Sequence, residues 1–193
     1  MQSMDNNSVK IVLASQSPRR KELLAEAGYE FTVHPADINE SAFESEPDTP
    51  RVHAERLAMA KAEYVAEKFP DCLVIAADTI VDCDGQIIGK PADAAEAEEI
   101  TRKLFARPHK VITAVAIMHL AGGIKLLESD TTTVYPKKMS DRQIARHIAG
   151  RLWQDKSGAY AIKQQDDEFV ERIDGSLTNV MGLPMELLER MLR

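Results

Sequence analysis

The chain is poor in cysteine and in long apolar stretches. Its two cysteines, Cys72 and Cys83, stand in no metal-type spacing. Reduced thiols are therefore the better reading than a disulfide framework or a zinc site, and they fit a cytoplasmic location. The longest uninterrupted apolar run, Cys72 to Ala77, is six residues, against about 20 for a membrane-spanning helix. The first eight residues, MQSMDNNS, are polar and contain no hydrophobic signal core. They read as a disordered or appended end, and 9–193 as a single domain. Basic residues are outnumbered too: 24 Lys and Arg against 31 Asp and Glu leave a net charge of −7. That balance opposes general nucleic-acid or anionic-membrane binding. An anionic small molecule stays possible, through a local basic cluster or a metal. The familiar nucleotide and hydrolase signatures are missing as well. There is no Walker A loop, no G-x-G-x-x-G after a strand, no G-x-S-x-G elbow and no H-E-x-x-H. His34, His53, His109, His119 and His147 show no ligand spacing and read as surface or core histidines.

What is present is an ordinary globular balance, 44% hydrophobic and 28% charged over 193 residues. A chain of that length buries roughly 70% of its unfolded surface. Val9 to Ala14 reads as a buried strand. Ser17 and Pro18 open a helix whose apolar face is Leu23, Leu24 and Ala27 and which Gly28 closes. Residues 30–34 alternate as a strand, and 35–48 form a polar loop. Thr49 and Pro50 start a long helix that Pro70 stops. Cys72 to Ala77 reads as a central strand. Asp84-Gly85 turns into a short strand at 86–88, and a helix follows at 93–106. Residues 110–120 and 124–134 pair around Gly122-Gly123. A helix capped by Ser140, a strand at 168–173 and a closing helix at 184–192 complete the chain. Strands and helices alternate, so the fold class is α/β with a mixed sheet.

Three places break a local rule. Arg19 and Arg20 sit in the first turn of a helix, where cations are disfavoured by about 0.3–1 kcal/mol each. A bound anion would reverse that sign; the plainer reading is two solvated arginines. Lys61 falls within the stripe Ala54, Leu57, Ala58 and Val65, so its ammonium is either buried against an anion or snorkels to the stripe's edge. Asp78 ends the apolar strand, where open α/β sheets bind ligands. There it is a candidate base or metal ligand, or else an Asx turn. Lys90, in Gly89-Lys90-Pro91, returns towards the same mouth. Arg, Arg, Lys, Lys and Asp around one cleft of an acidic protein suit a polyphosphate with a divalent metal. They specify neither the base nor the bond broken. The acidic run Asp166-Asp167-Glu168 reads as a solvated turn, with metal binding the alternative.

The run Leu13-Ala14-Ser15-Gln16-Ser17-Pro18-Arg19-Arg20-Lys21-Glu22-Leu23-Leu24 resembles the start of the Maf family of nucleoside triphosphate pyrophosphatases. Further stretches agree in order: Arg56-Leu57-Ala58 through Lys61-Ala62, Ala77-Asp78-Thr79-Ile80-Val81, Gly89-Lys90-Pro91 and Gly158-Ala159-Tyr160. So does the end, from Phe169-Val170 through Gly175 to Val180-Met181-Gly182-Leu183-Pro184. The resemblance covers residues 9–192.

It implies hydrolysis of a nucleoside triphosphate to the monophosphate and pyrophosphate with Mg2+ or Mn2+. The implied fold is inosine triphosphatase-like, an elongated mixed sheet with a cleft between two lobes, in a cytoplasmic homodimer that clears surplus or non-standard nucleotides. Carried over by position, Asp78 is the proton acceptor, and Ser15, Arg20, Lys61 and Lys90 line the phosphate cleft. Glu40 is a loop carboxylate for metal binding or catalysis, and the metal would lie on Glu40 and Asp78. Arg19 and Thr79 match the dTTP/UTP type. Lys163 stands where that type has Gln and the 7-methyl-GTP type has Glu, and it matches neither. The alternatives are a Maf-like enzyme for another base, 7-methyl-GTP or a modified pyrimidine, and a non-catalytic nucleotide-binding regulator of cell division.

Overall fold

A computed structural model describes residues 9–43, 49–151, 153–154, 156–160 and 169–193. One sheet organises it. Its strands are β1 (Ile11–Leu13), β2 (Phe31–Val33), β3 (Leu73–Cys83), β4 (Gln86–Ile88), β5 (His109–His119), β6 (Ile124–Pro136) and β7 (Val170–Asp174). The order across the sheet is β2-β1-β3-β5-β6-β7, with β4 paired to β3. The β1 strand runs parallel to both β2 and β3, and the remaining pairs are antiparallel. The helices are α1 (Pro18–Glu26), α2 (Pro50–Ala66), α3 (Ala94–Leu104), α4 (Asp141–Ala149), α5 (Leu177–Met181) and α6 (Met185–Met191). The mixed α/β class expected from the sequence is the class observed.

The expectation that fails is the end of β3. Asp78 does not terminate the strand; it is the sixth of eleven residues. The apolar run stops at Ala77, but Ile80, Val81 and Cys83 remain buried, and pairing with β5 continues to Asp82. The polar residues in the middle mark a change of surroundings within one strand. Beside it, β1 pairs with β3 only as far as Ile75, and β4 begins opposite Val81. Among the described residues, 76–80 therefore have β5 on one side and no strand on the other. Asp78 and Thr79 stand in that gap.

Strand alternation sends the two side chains to opposite faces of the sheet. On the Asp78 face, Val74, Ala76 and Ile80 pack with Ala54, Ala58, Ala62 and Val65 of α2. On the Thr79 face, Ile75 and Ala77 pack with Leu23 and Leu24 of α1 and with Leu187 and Leu188 of α6. Farther along that second face, Val81 and Cys83 join a separate cluster with Leu104, Phe105, Ile144 and Val170. The small residues of the α2 stripe let that helix lie close to the sheet, which brings Lys61 within reach of Asp78.

Local signals hold in most places. Thr49 caps α2 by accepting from the Val52 amide, and Ser140 and Gln143 form a reciprocal capping box on α4. The α2 helix ends at Ala66, before Pro70. Ser17 occupies the N-cap position of α1, but its side chain makes no capping bond. The Ser17 amide donates instead to Ser15 Oγ at 3.2 Å. The α5 helix was not legible in the sequence: five residues are too few for a period, and Ser176 alone marks its start.

Candidate active site

The gap beside β3 opens into a cleft of about 1130 Å³. Ser15, Arg19, Arg20, Glu40, Lys61, Asp78, Thr79 and Lys90 all line it. Lys163 and the run 166–168 lie outside the described residues. Candidates spread over 76 positions of sequence are thus gathered at one break in the sheet.

On the α2 side, the Lys61 ammonium lies 2.6 Å from Asp78 Oδ1 and 2.7 Å from Glu40 Oε1. The Lys61 and Asp78 side chains are only 12% and 10% exposed, so Lys61 does not snorkel. Of the two readings of its stripe position, the buried ion pair holds. Glu40 opens a 3-10 turn, Glu40–Phe43. Arg56 lies over the Phe43 ring, 5.5 Å from its centre, and ties that turn to α2. Burial works against ionisation of Glu40. The Lys61 hydrogen bond and charge, with Lys90 and Arg20 behind them, outweigh burial and hold the carboxyl below its ordinary range. Asp78 keeps its second oxygen without a hydrogen-bond partner among the described residues.

On the other face, Arg20 is half-buried and held by three hydrogen bonds. It donates to the Gly182 carbonyl at 2.7 Å, to Ser15 Oγ at 3.1 Å and to Thr79 Oγ1 at 3.0 Å. Neither an anion nor bulk solvent is needed to explain a cation in the first turn of α1: three oxygen acceptors, one of them at the C-cap of α5, offset the dipole. Desolvation lowers the Arg20 pKa, Asp78 and Glu40 raise it, and Arg19 adds to the lowering. Arg19 is likewise lowered by desolvation, with Tyr160 and Glu22 opposing.

The Thr79 hydroxyl lies 3.0 Å from Thr113 Oγ1, which donates to the Asn179 carbonyl at 2.9 Å. Since the Thr113 proton is committed, Thr79 must donate to Thr113 while accepting from Arg20. Asn179 continues the belt, donating to the Val111 carbonyl and to Thr132 Oγ1. This buried polar belt separates the two apolar clusters on the Thr79 face and fixes Arg20 from behind. The sequence held one signal for it: Thr113 is the lone polar residue in Val111 to Met118. Asn179 gave none, since its partners are 47 and 68 positions away.

A third wall comes from Ser157–Ala159 and Tyr160. The Gly158 amide donates to the Gly89 carbonyl at 3.1 Å, joining this segment to the Lys90 loop. Gly158 has φ +76°, and a Cβ there would come within 2.9 Å of Val81 Cγ2 and 3.1 Å of Leu104 Cδ1. Both the backbone and the space demand glycine. Gly158→Ala is expected to cost about 2 kcal/mol, read as a fall of about 5 °C in Tm; an unchanged melting temperature would contradict the close packing.

The carboxylates fit a small hard cation in one respect. Magnesium is commonly held by one or two carboxylates with substrate phosphates completing its shell, and Glu40 and Asp78 offer two, both at Lys61. Among the described residues no group of three or more His, Cys, Asp or Glu forms a preassembled cage. Any such metal would thus share its shell with the substrate.

The model of the Maf-like protein family matches residues 10–193. This chain belongs to the Maf family. Among similar Maf proteins, the "dTTP/UTP pyrophosphatase" of Citrifermentans bemidjiense is 47% identical over 182 residues, covering 94% of this chain and 92% of that protein. The proteins of the same name from Geobacter metallireducens and Elusimicrobium minutum are 47% and 42% identical, covering 94% and 96% of this chain and 93% and 98% of their own. The Maf fold is similar to that of a HAM1 protein from Coxiella burnetii, with TM-score 0.52 at 16% identity over 96% of this chain and 98% of that one. The Staphylococcus aureus Ham1 protein gives TM-score 0.52 at 16% identity, over 95% and 97%. At such identity the likeness concerns the fold.

Proposed function

We propose that this Maf protein hydrolyses dTTP and UTP to the monophosphate and pyrophosphate in the cleft beside β3. The observation that carries this reading is the Glu40–Lys61–Asp78 cluster, set across the sheet gap from Ser15 and Arg20. Three steps follow from the chemistry of the residues. Lys90, exposed at the rim, and the Lys61 and Arg20 cations attract the triphosphate and stabilise the charge that spreads as the α–β phosphoanhydride breaks. Ser15 Oγ already accepts from Arg20 and from the Ser17 amide, so its own proton is left to donate to a phosphate oxygen. Asp78, oriented through Oδ1 by Lys61, takes the proton of the attacking water on its second oxygen.

Glu40 would hold Mg2+ or Mn2+ together with the substrate phosphates, whose charge the metal would neutralise. The pyrimidine preference is supported by the names of the relatives and by Arg19 and Thr79. With its proton given to Thr113 and one lone pair taken by Arg20, Thr79 can still accept from a ring N–H of the kind uracil and thymine carry. The same reading makes the protein a cytoplasmic homodimer that acts apart from nucleic acid and membrane. Its net charge of −7 supports the separation from nucleic acid. The free thiols of Cys72 and Cys83 support the compartment. Among the described residues no helix is long and apolar enough to cross a membrane.

The test is pyrophosphate release from dTTP, UTP, CTP, GTP and 7-methyl-GTP with Mg2+ or Mn2+, and after chelation. Release from dTTP and UTP at least about tenfold faster than from the others, lost on chelation, is the expected result. Preference for another base would reject the pyrimidine assignment. Binding without release would point to a regulator.

A further inference from the structure

His109, which the sequence marked only as a core or surface histidine, stands 51 positions from Tyr160 and lies directly behind it. His109 is 3% exposed. Its Nδ1 faces the Arg107 carbonyl at 3.5 Å, and its Nε2 lies 2.5 Å from the Tyr160 hydroxyl. A carbonyl can only accept, so the ring proton sits on Nδ1 and Nε2 accepts from the tyrosine. Burial pushes the imidazole below its ordinary range, against the backbone contacts at Arg107 and Leu104, and so favours this neutral form. The Tyr160 ring stands edge-on to His109 and to Phe105, with centres 5.4 Å and 5.5 Å apart. Its orientation is set from two sides, and it lines the nucleotide cleft beside Arg19.

The segment that carries Tyr160 is also strained. Ala159, a residue with a Cβ, holds φ +58°, a conformation that persists only where the surroundings impose it. A second histidine supplies part of that constraint: His147 Nε2 donates to the Ala159 carbonyl at 2.7 Å. Two histidines on different elements, one on β5 and one on α4, therefore fix one short stretch of cleft wall. Nothing in the phosphate chemistry requires either of them.

We propose that His109 is a positioning residue for nucleotide binding, acting through its hydrogen bond to Tyr160, whose ring forms a preset wall for the nucleoside end of the substrate. The proposal rests on the nucleotide reading of the cleft. It assigns His109 no contact with substrate and no proton transfer. A wall already held in its binding orientation has less freedom to lose when the ligand arrives. Weakening the anchor should therefore raise KM and leave the chemical step nearly alone.

The experiment compares wild type, Tyr160→Phe, His109→Phe, the double variant and His109→Gln. Each is tested for binding of a dTTP analogue with an imido bridge between the α and β phosphorus atoms, by calorimetry, and for steady-state hydrolysis of dTTP. Tyr160→Phe and His109→Phe should each weaken binding and raise KM about fivefold, with kcat within about twofold, as loss of one hydrogen bond allows. The double variant should be no worse than either single one. His109→Gln, which returns an acceptor near the position of Nε2, should restore most of the affinity. Unchanged binding in Tyr160→Phe, or losses that multiply in the double variant, would overturn the proposal. If His109→Phe does not fold, Tyr160→Phe alone and combined with His109→Gln still decides it. Wild-type protein that binds the analogue without releasing pyrophosphate would defeat the pyrophosphatase reading, while the binding series would still test His109. Wild-type protein that binds no nucleotide would defeat both.

Discussion

Asp78→Asn is expected to lower kcat for dTTP about a thousandfold, in line with loss of a positioned general base. The fold should survive it. Asn keeps an oxygen that can accept from Lys61, and Lys61 keeps Glu40 at 2.7 Å. The surrounding Ala76, Ile80 and α2 packing meets a side chain of nearly equal volume. A shift in Tm of less than about 3 °C, with KM changed only a few fold, would separate lost chemistry from lost structure. A variant that keeps more than a tenth of wild-type kcat would remove Asp78 from the role of base.

Lys61→Met should do the reverse, damaging the fold as well as the activity. Methionine can fill the stripe on α2, but it leaves the 10% exposed Asp78 carboxylate beside Glu40 with no cation between them. Breaking a buried pair in this way costs about 3 kcal/mol, or roughly 8 °C in Tm for a chain of this size. Its pH dependence carries a distinctive sign. In the wild type the Glu40 carboxyl is held below its ordinary range near 4.5. It contributes stability above that value and loses it as pH falls through the lowered one. In Lys61→Met the two carboxylates repel, which favours a protonated Glu40 in the folded state, and stability rises as the pH is lowered. Thermal melts of both proteins between pH 4 and 8 would show the crossing; parallel curves would mean that Lys61 does not neutralise this pair.

Both predictions rest on residues that the sequence could flag. Lys61 stood out because it interrupted an apolar stripe, and Asp78 because it interrupted an apolar run. Each was a local conflict that only tertiary structure resolves. What the sequence could not supply was the reason for Asp78's place. It looked like the end of a strand, whereas the break is in the neighbours: β1 stops and β4 starts, and β3 runs on. Absence of a partner leaves no mark in the strand itself. Arg20 was legible as an oddity of charge, but its three acceptors come from Ser15, Thr79 and Gly182, two of them 59 and 162 positions away. The hydrogen bond from Tyr160 to His109 lay beyond any periodicity, since it joins a buried strand start to the residue after a 3-10 turn through two side-chain atoms. The α/β alternation, most helix starts and the turn at Asp84-Gly85 depended on local chemistry and were correspondingly readable.

The interruption beside β3 has a consequence for the main chain. Leu73 and Ile75 direct their peptide groups to the β1 side, as the bonds from the Leu73 amide to Lys10 and from the Ala14 amide to Ile75 show. By the two-residue repeat, Ala77 and Thr79 aim theirs the same way, into the space that β1 and β4 leave open. The sheet thus carries a short inner margin of amides and carbonyls with no backbone partner among the described residues. A long free margin would invite another chain to add a strand. This one is closed off by β1 at one end and β4 at the other, and five residues give an intruding strand too little to hold. Only something compact can satisfy those groups, and no side-chain substitution can take them away.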